Sequence, residues 1–256
     1  MLVLLTLTGC VQAQMTAEPE KKKNPAKETM HSVVKDRHPK ISTTPVRPEE
    51  PGFVIYAWGD SITAGINGDG TTYPSVLEEM TGITVKNFGV PGETSQEIVS
   101  RCVEYGRHPD DVLVIQMGDN GGWRDIDDLV SQYRRMIRAS GSERYIIMTS
   151  TDDPDDFDQI WGYTKDYIGL KETPYEKALK EAFGEHVFEA RQYLIVNGLA
   201  INGITETYED RLRARQGSIS EKLRNEELDN THLNAYGYRA MAWGIFELGA
   251  KLGYWS

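Results

Sequence analysis

Residues Tyr56–Gly65 read YAWGDSITAG, and the interpretation of this stretch decides the fold. The run FVIYAW (53–58) is short and continuously apolar, which is typical of a strand buried on both faces of a sheet. Gly59, Asp60 and Ser61 end that run, and these residue types are the usual ones in a turn. The tripeptide alone indicates a turn, so any chemical role depends on what the other strand ends carry.

Strand and helix patterns alternate from Pro51 to the end of the chain. Four more apolar runs predict strands, at residues 83–89, 111–118, 143–151 and 186–196. Such alternation predicts an α/β fold with three α/β/α layers around a central, mostly parallel five-stranded sheet. Two stretches, 151–174 and 197–228, interrupt the pattern and are expected to line or cover an active site.

Local signals predict where several helices begin and end. Residues 72–82, TYPSVLEEMTG, indicate a helix that is entered through a proline and closed by Gly82. Thr94 and Glu97 have the spacing of a capping box. A last helix is predicted from about Ala235, with Asn234 as its cap.

The first ten residues, MLVLLTLTGC, are apolar but too short for a membrane-spanning helix, which needs about 20 residues. They fit a secretory signal, and the last four resemble the lipobox of bacterial lipoproteins, in which the cysteine, here Cys10, is acylated. No Lys or Arg precedes the apolar run, which a start site further upstream would explain. Residues 11–50 hold five of the eleven prolines and are predicted to form a flexible linker to a catalytic domain at 51–256. The predicted location is the extracytoplasmic side of a bacterial membrane, reached through a lipid anchor.

Charge and cysteine content exclude several classes of function. The net charge is −11, and residues 51–256 carry 20 basic against 33 acidic side chains, so nucleic acid is not an expected partner. Cys102, the cysteine besides Cys10, has helical spacing to apolar neighbours and is predicted to be buried. GINGDGTTY (65–73) is glycine-rich but lacks the Gly-Lys-Ser/Thr of a phosphate loop. No His/Cys cluster has metal-ligand spacing, and neither a metal nor a cofactor is predicted.

The polar residues that could carry chemistry follow the predicted strands. WGDS, NFGVPGETS and MGDNGG come after the first three strands, and DNTHLN (229–234) precedes the last helix. Ligands bind at the carboxyl ends of strands in sheets of this kind. Acyl transfer needs a nucleophile, a base, a group that orients the base, and donors for an oxyanion. Together, the four segments contain residues for all of these roles.

These four segments together resemble the sequence blocks of the SGNH, or GDSL-type, serine hydrolases. The resemblance implies the flavodoxin-like fold of that family, with Ser61 as nucleophile and His232 as base. It also implies that Asp229, three residues before His232, orients the imidazole. The oxyanion donors would be the amides of Ser61 and Gly92 and the side chain of Asn120, with Gly89 as the alternative to Gly92. The family's third block commonly reads Gly-x-Asn-Asp, whereas this chain has Gly121 after Asn120, so another group, such as Asp119, would have to support the asparagine.

The resemblance implies a serine ester hydrolase that works through an acyl-enzyme. Aromatic residues that could line a substrate site are Trp123, Trp161 and Tyr163, and aromatic faces suit sugar rings, although the same residues could pack the core. The first hypothesis is therefore the removal of acetyl or other short acyl groups from a carbohydrate. The alternatives are an esterase or lysophospholipase on small or lipid-like esters, an acyltransferase with the same residues, and a surface binding module without turnover.

Overall fold

The computed structural model of the protein describes residues 52–151, 168–225 and 228–256. The predicted signal and linker segments, with Cys10, lie outside this part of the chain and remain predictions. In the part that is described, no helix is both long enough and apolar enough to cross a membrane.

Five parallel strands form the central sheet. They are β1 (Ile55–Gly59), β2 (Val85–Gly89), β3 (Val112–Ile115), β4 (Arg144–Met148) and β5 (Val187–Phe188). Their order is β2-β1-β3-β4-β5, and each neighbouring pair is parallel. Every residue of β1 and β3 is buried, as expected of central strands that are covered on both faces. The predicted parallel sheet is confirmed.

Eight α-helices are described around this sheet. They are α1 (Ser61–Ala64), α2 (Tyr73–Thr81), α3 (Ser95–Tyr105), α4 (Ile126–Ser140), α5 (Pro174–Phe183), α6 (Ala190–Ile201), α7 (Tyr208–Gln216) and α8 (Ala235–Lys251). Helices α2, α6 and α8 pack together in one layer, and α3, α4 and α5 pack in the other. Each layer shares a separate hydrophobic core with its face of the sheet, which confirms the α/β/α arrangement.

Helix boundaries follow the local signals in the sequence. Thr94 and Glu97 form the predicted capping box at the start of α3. Pro74 lies in the first turn of α2, and Gly82 ends that helix in the left-handed conformation at φ 67°. Asn234 caps α8 by accepting the amides of Tyr236 and Gly237 at 3.0 and 3.1 Å. These predictions are confirmed. Each feature could be predicted from the sequence because it depends only on residues that are close along the chain.

The fifth strand is much shorter than predicted. The sequence predicts a strand over 186–196, whereas β5 ends at Phe188 and α6 begins at Ala190. Ala190, Leu194 and Gly198 recur at steps of four and form the buried face of that helix. The fifth strand is thus present, but its predicted length is wrong. The apolar run fits both helical and strand periodicity, and burial on one helical face decides in favour of the helix.

Helix α1 lies directly against the ends of β1 and β2. A Cβ atom on Gly59 would come 2.1 Å from Thr63 Oγ1, and one on Gly89 would come 2.1 Å from the Ala64 nitrogen. The Asn87 side chain donates to the Thr63 carbonyl at 2.9 Å and holds the end of the helix. Glycines at the ends of both strands therefore allow α1 to pack against the carboxyl edge of the sheet.

Candidate active site

Ser61 is the first residue of α1, directly after the end of β1. Asp60 caps the helix, and its Oδ1 accepts the Ile62 amide at 3.0 Å. Ser61 is half-buried, and its amide makes no hydrogen bond with the described residues. A first-turn amide without an intrahelical partner is available to bind an anion. The turn thus supplies both a hydroxyl and a free donor at the edge of the sheet.

Gly92 lies in the loop that follows β2. Its φ of 78° is left-handed, its surroundings are open, and its amide makes no hydrogen bond with the described residues. The alternative donor, the Gly89 amide, is already bound to Asn87 Oδ1 at 2.8 Å. The geometry therefore favours Gly92 over Gly89 as a donor to a developing oxyanion.

Asn120 lies in the loop after β3 and joins it to the loop after β2. Its Nδ2 donates to the Glu93 carbonyl at 3.1 Å, and the Ser95 amide donates to the Gly121 carbonyl at 3.0 Å. The side chain is exposed, and the second hydrogen on Nδ2 can serve another acceptor. The Asn120 side-chain amide is thus bound to Glu93, the residue that directly follows Gly92.

The group that holds Asn120 differs from the one that the sequence suggests. Asp119 accepts Gln116 Nε2 at 2.7 Å and a short hydrogen bond from Ser150 Oγ. These contacts lead into the buried interior, whereas the Asn120 amide is bound by a backbone carbonyl of the neighbouring loop. The structure therefore assigns the local support of Asn120 to the loop that carries Gly92.

Arg101 on α3 fixes the loop that follows β2. Its Nε lies 2.7 and 2.9 Å from the two carboxylate oxygens of Glu93. One terminal nitrogen also donates to the Phe88 carbonyl at 2.9 Å, and the guanidinium lies 5.3 Å from the ring centroid of Trp58. A paired, stacked arginine of this kind holds both ends of the loop in one geometry. The sequence carries no signal for this contact apart from Glu93 itself.

His232 and Asp229, which the sequence predicts as base and acid, lie side by side. His232 Nδ1 lies 2.9 Å from Asp229 Oδ2. Burial acts to raise the pKa of Asp229, but hydrogen bonds from the His232 amide, the His232 ring and Asn67 outweigh it and lower that pKa to about 2. A charged carboxylate at Nδ1 leaves Nε2 as the basic nitrogen. Nε2 is buried and has no hydrogen-bond partner among the described residues.

The turn that carries this pair is closed by its own side chain. Asp229 Oδ1 accepts the amides of Thr231 and His232 at 2.9 and 2.8 Å, so the aspartate orients the turn as well as the imidazole. The buried Arg224 donates to the carbonyls of Asn230 and Thr231, the latter at 2.8 Å. His232 therefore lies on a short segment that is fixed from both sides. Nothing in the sequence around Arg224 points to this role.

A hydrogen bond between Asn67 and Asp229 joins the two halves of the site. Asn67, six residues after Ser61, donates from Nδ2 to Asp229 Oδ2 at 2.6 Å. No hydrogen bond joins Ser61 Oγ to His232 Nε2 in this structure. Catalytic hydrogen bonds are commonly long without substrate and shorten in the Michaelis complex. The structure thus brings the serine turn and the His232 turn together through Asn67.

Of the aromatic residues proposed to contact substrate, Trp123 is the one that is described. Its indole Nε1 donates to the Gly118 carbonyl at 2.8 Å, and the ring is half-buried beside the Asn120 loop. Trp161 and Tyr163 lie outside the described residues. Tyr175, in the same region of the sequence, is 1% exposed and packs in the core below α4.

Asp60 is a buried acid directly under the serine. Only 1% of it is exposed, and its Oδ2 has no donor among the described residues. Burial is the largest cause, and the charge of Asp119 the second, of a rise in the pKa of Asp60 to about 8. At neutral pH the folded protein therefore keeps a proton here that the unfolded chain would release.

One known protein family matches most of this chain. The model of the GDSL-like Lipase/Acylhydrolase family matches residues 57–240, which is more than half of the chain and includes all four sequence blocks. No curated protein sequence matches the chain.

Several solved structures of low sequence identity are similar to this one. A protein of Bacillus subtilis is 16% identical with a TM-score of 0.52, and the match covers 80% of this chain and 58% of that one. A member of the lipolytic protein G-D-S-L family from Veillonella parvula is 17% identical with a TM-score of 0.47, over 78% of this chain and 99% of that one. The lipase/acylhydrolase from Enterococcus faecalis is 18% identical with a TM-score of 0.49, over 80% and 97%.

Replacement of Asp60 by asparagine tests whether the buried acid is protonated. A folded-state pKa raised to about 8 means that the stability this group contributes is present below about pH 4 and is lost as the pH rises to about 8. Asp60→Asn keeps the helix cap but has no proton to lose in this pH range. We therefore expect the free energy of unfolding of the variant, relative to that of the parent, to increase from pH 5 to pH 8.5. Urea unfolding at several pH values measures the difference. Asp110→Asn, at an exposed site, is the control, and an Asp60→Asn difference that does not change with pH would contradict the assignment.

Proposed function

Because the chain belongs to the GDSL-like lipase/acylhydrolase family, and is thus a serine ester hydrolase, we propose that it cleaves esters through an acyl-enzyme on Ser61. The observation that carries this proposal is the His232 imidazole, whose Nδ1 is bound to Asp229 while the buried Nε2 has no partner among the described residues. An imidazole held in this way accepts a proton at Nε2. The acidic carboxyl of Asp229 stays charged and stabilises the imidazolium that forms.

The proposed reaction has two balanced steps. Ser61 Oγ attacks the ester carbonyl carbon while its proton moves to His232 Nε2, and collapse of the intermediate expels the alcohol, which takes that proton. A water molecule then attacks the acyl-enzyme, gives its proton to His232, and releases the acid as the Ser61 hydroxyl is restored. In both steps the negative oxygen would receive hydrogen bonds from the amides of Ser61 and Gly92 and from Asn120 Nδ2.

For the substrate we propose an acetylated or otherwise short-acylated carbohydrate. The support is Trp123, whose indole is held at the Asn120 loop by its hydrogen bond to Gly118. An aromatic face fixed next to the oxyanion donors offers an apolar platform to a sugar ring whose ester lies at Ser61. Lipid-like esters are the competing substrates, and an acyltransferase would use the same residues with a sugar in place of water.

We further propose that the enzyme acts outside the cytoplasmic membrane, anchored through a lipid on Cys10. The support is the apolar segment MLVLLTLTGC, followed by the proline-bearing stretch 11–50.

Loss of the nucleophile and of one oxyanion donor should have separate, graded effects. With p-nitrophenyl acetate, we expect Ser61→Ala to lower kcat on the order of 10⁴-fold or more. Asn120→Ala should lower it by about 10²–10³-fold, the usual cost of one oxyanion donor. Ser131→Ala, at an exposed position of α4, is the control and should retain the parental rate. A Ser61→Ala variant as fast as the parent would contradict the proposed nucleophile.

The role of Trp123 can be tested by comparing two substitutions on two substrates. We expect Trp123→Ala to lower kcat/KM for acetylated oligosaccharides by about tenfold, the effect of losing one aromatic contact of about 1.4 kcal/mol, and to change p-nitrophenyl acetate hydrolysis much less. Trp123→Phe loses the hydrogen bond to Gly118 but keeps an aromatic ring. Because the ring is the part expected to contact the sugar, this variant should retain most of the oligosaccharide activity.

The same assays distinguish the competing substrates. Equal losses on both substrates would make Trp123 a purely structural residue. A higher kcat/KM of the parental protein for p-nitrophenyl decanoate than for every acetylated oligosaccharide would indicate that the substrates are lipid-like esters. Formation of an acetylated sugar when a free sugar is added as acceptor would identify a transferase.

The anchor is tested by cell fractionation. In a bacterial host that processes lipoproteins, the full chain should partition with membranes, and Cys10→Ser should move it to the soluble extracytoplasmic fraction. Cys102→Ser is the matched control and should leave the distribution unchanged, because Cys102 is buried in the core. Equal membrane association of the Cys10→Ser and parental proteins would contradict the anchor.

A further inference from the structure

The loop directly after the serine helix has an unusual backbone. It comprises residues 65–70, GINGDG, which we call the post-serine loop. Asn67 and Asp69 lie in it with φ values of 64° and 50°, and among the described residues they are the only non-glycine residues with positive φ. Asparagine and aspartate are among the few residue types that tolerate this region. The loop therefore holds Asn67 in a conformation that most side chains would not adopt.

The Asn67 side chain uses that conformation to reach the acid of the proposed triad. Its Nδ2 lies 2.6 Å from Asp229 Oδ2, the same oxygen that binds His232 Nδ1 at 2.9 Å. The other carboxylate oxygen is occupied by two amides of its own turn, those of Thr231 and His232. Asn67 is thus the one hydrogen-bond donor to Asp229 in the described residues that comes from another part of the fold, 162 residues away in sequence.

Independent contacts hold the post-serine loop in place. Tyr238 on α8 donates its hydroxyl to the Ile66 carbonyl at 2.8 Å. The Ile66 amide donates to the Ser61 carbonyl at 3.2 Å, which ties the loop to the serine residue itself. A Cβ atom on Gly68 would lie 2.1 Å from the Thr71 carbonyl oxygen and 2.8 Å from the Tyr238 ring, so the loop packs tightly against α8. Asn67 therefore has a fixed position relative to both Ser61 and α8.

We propose that Asn67 is a positioning residue for the proposed triad, acting through Asp229. By binding Oδ2 it fixes the rotation of the carboxylate, so that this oxygen continues to face His232 Nδ1 when the ring becomes charged. Because the donor lies on the loop after α1, it also links the position of the imidazole to that of Ser61, with which His232 makes no direct hydrogen bond here. The inference rests on the proposed function, since it assigns Asn67 a task only if His232 is the base.

The magnitude of the expected effect follows from geometry. A misplacement of about 1 Å in a catalytic group can cost about 10²-fold in rate. Asn67→Gly removes the amide and tolerates the positive φ, so the backbone need not change. Asn67→Asp keeps the size and the conformational preference but places a second carboxylate against Asp229. Asp69→Gly is the matched control, because Asp69 shares the loop and the positive φ but is exposed and makes no hydrogen bond to Asp229.

The test combines steady-state kinetics on p-nitrophenyl acetate with thermal unfolding and proton NMR. We expect Asn67→Gly to lower kcat by about 10- to 100-fold with KM changed less than about threefold. Asn67→Asp should lower kcat at least as much, and Asp69→Gly should stay within about threefold of the parent. The low-field resonance of the His232 Nδ1 proton should be present in the parent and in Asp69→Gly, and shifted or broadened in Asn67→Gly.

Two results would overturn this inference. One is an Asn67→Gly or folded Asn67→Asp variant with a parental kcat and an unchanged Nδ1 proton resonance. The other is a loss in Asp69→Gly as large as that in Asn67→Gly, which would indicate a general effect of loop conformation. Ser61→Ala, measured in parallel, separates the two claims. If it is inactive while Asn67→Gly is not, only the role of Asn67 fails, whereas parental activity in Ser61→Ala rejects the proposed nucleophile itself.

Discussion

The close packing of α1 on the ends of β1 and β2 is the constraint on which the rest of the site depends. Gly59 and Gly89 leave no room for a side chain between the strands and the helix, so α1 begins directly at the carboxyl edge of the sheet. That position puts Ser61 in the first turn of a helix, where its amide has no partner within the helix. A bulkier residue at either glycine would push the serine away from the loops that surround it.

The sheet brings the loops to one edge, but hydrogen bonds between loops set the distances. Asn120 is bound to the Glu93 carbonyl, and Glu93 is in turn held by Arg101, so the two candidate oxyanion loops form one unit. Asn67 makes the corresponding link on the other side, from the serine loop to Asp229. Asp229 and His232 lie only three residues apart, because Asp229 both closes the turn and binds the imidazole.

How much the sequence could predict depends on the range of each interaction. The caps at Thr94 and Asn234 and the buried strands were predictable, because they depend on neighbours or on a simple period. The end of β5 was not, since the run after Val187 fits both a strand and a helix until the buried face of α6 is known. The contact between Asn67 and Asp229 joins residues far apart in sequence, and the glycine-rich stretch around Asn67 indicated only a loop. The order of the motifs predicted that Ser61, Gly92 and Asn120 follow the ends of strands. The residues that hold them in place could be identified only from the three-dimensional contacts.

Covalent labelling with an alkyl fluorophosphonate shows whether Ser61 is a nucleophile that His232 activates. Attack of Ser61 Oγ on phosphorus would expel fluoride and leave a stable phosphonyl ester, which peptide mass spectrometry locates to a single residue. We expect one adduct per chain, on the peptide that contains Ser61, and a strongly reduced labelling rate in His232→Gln. An adduct on a different serine, or an unlabelled chain that still hydrolyses esters, would contradict it.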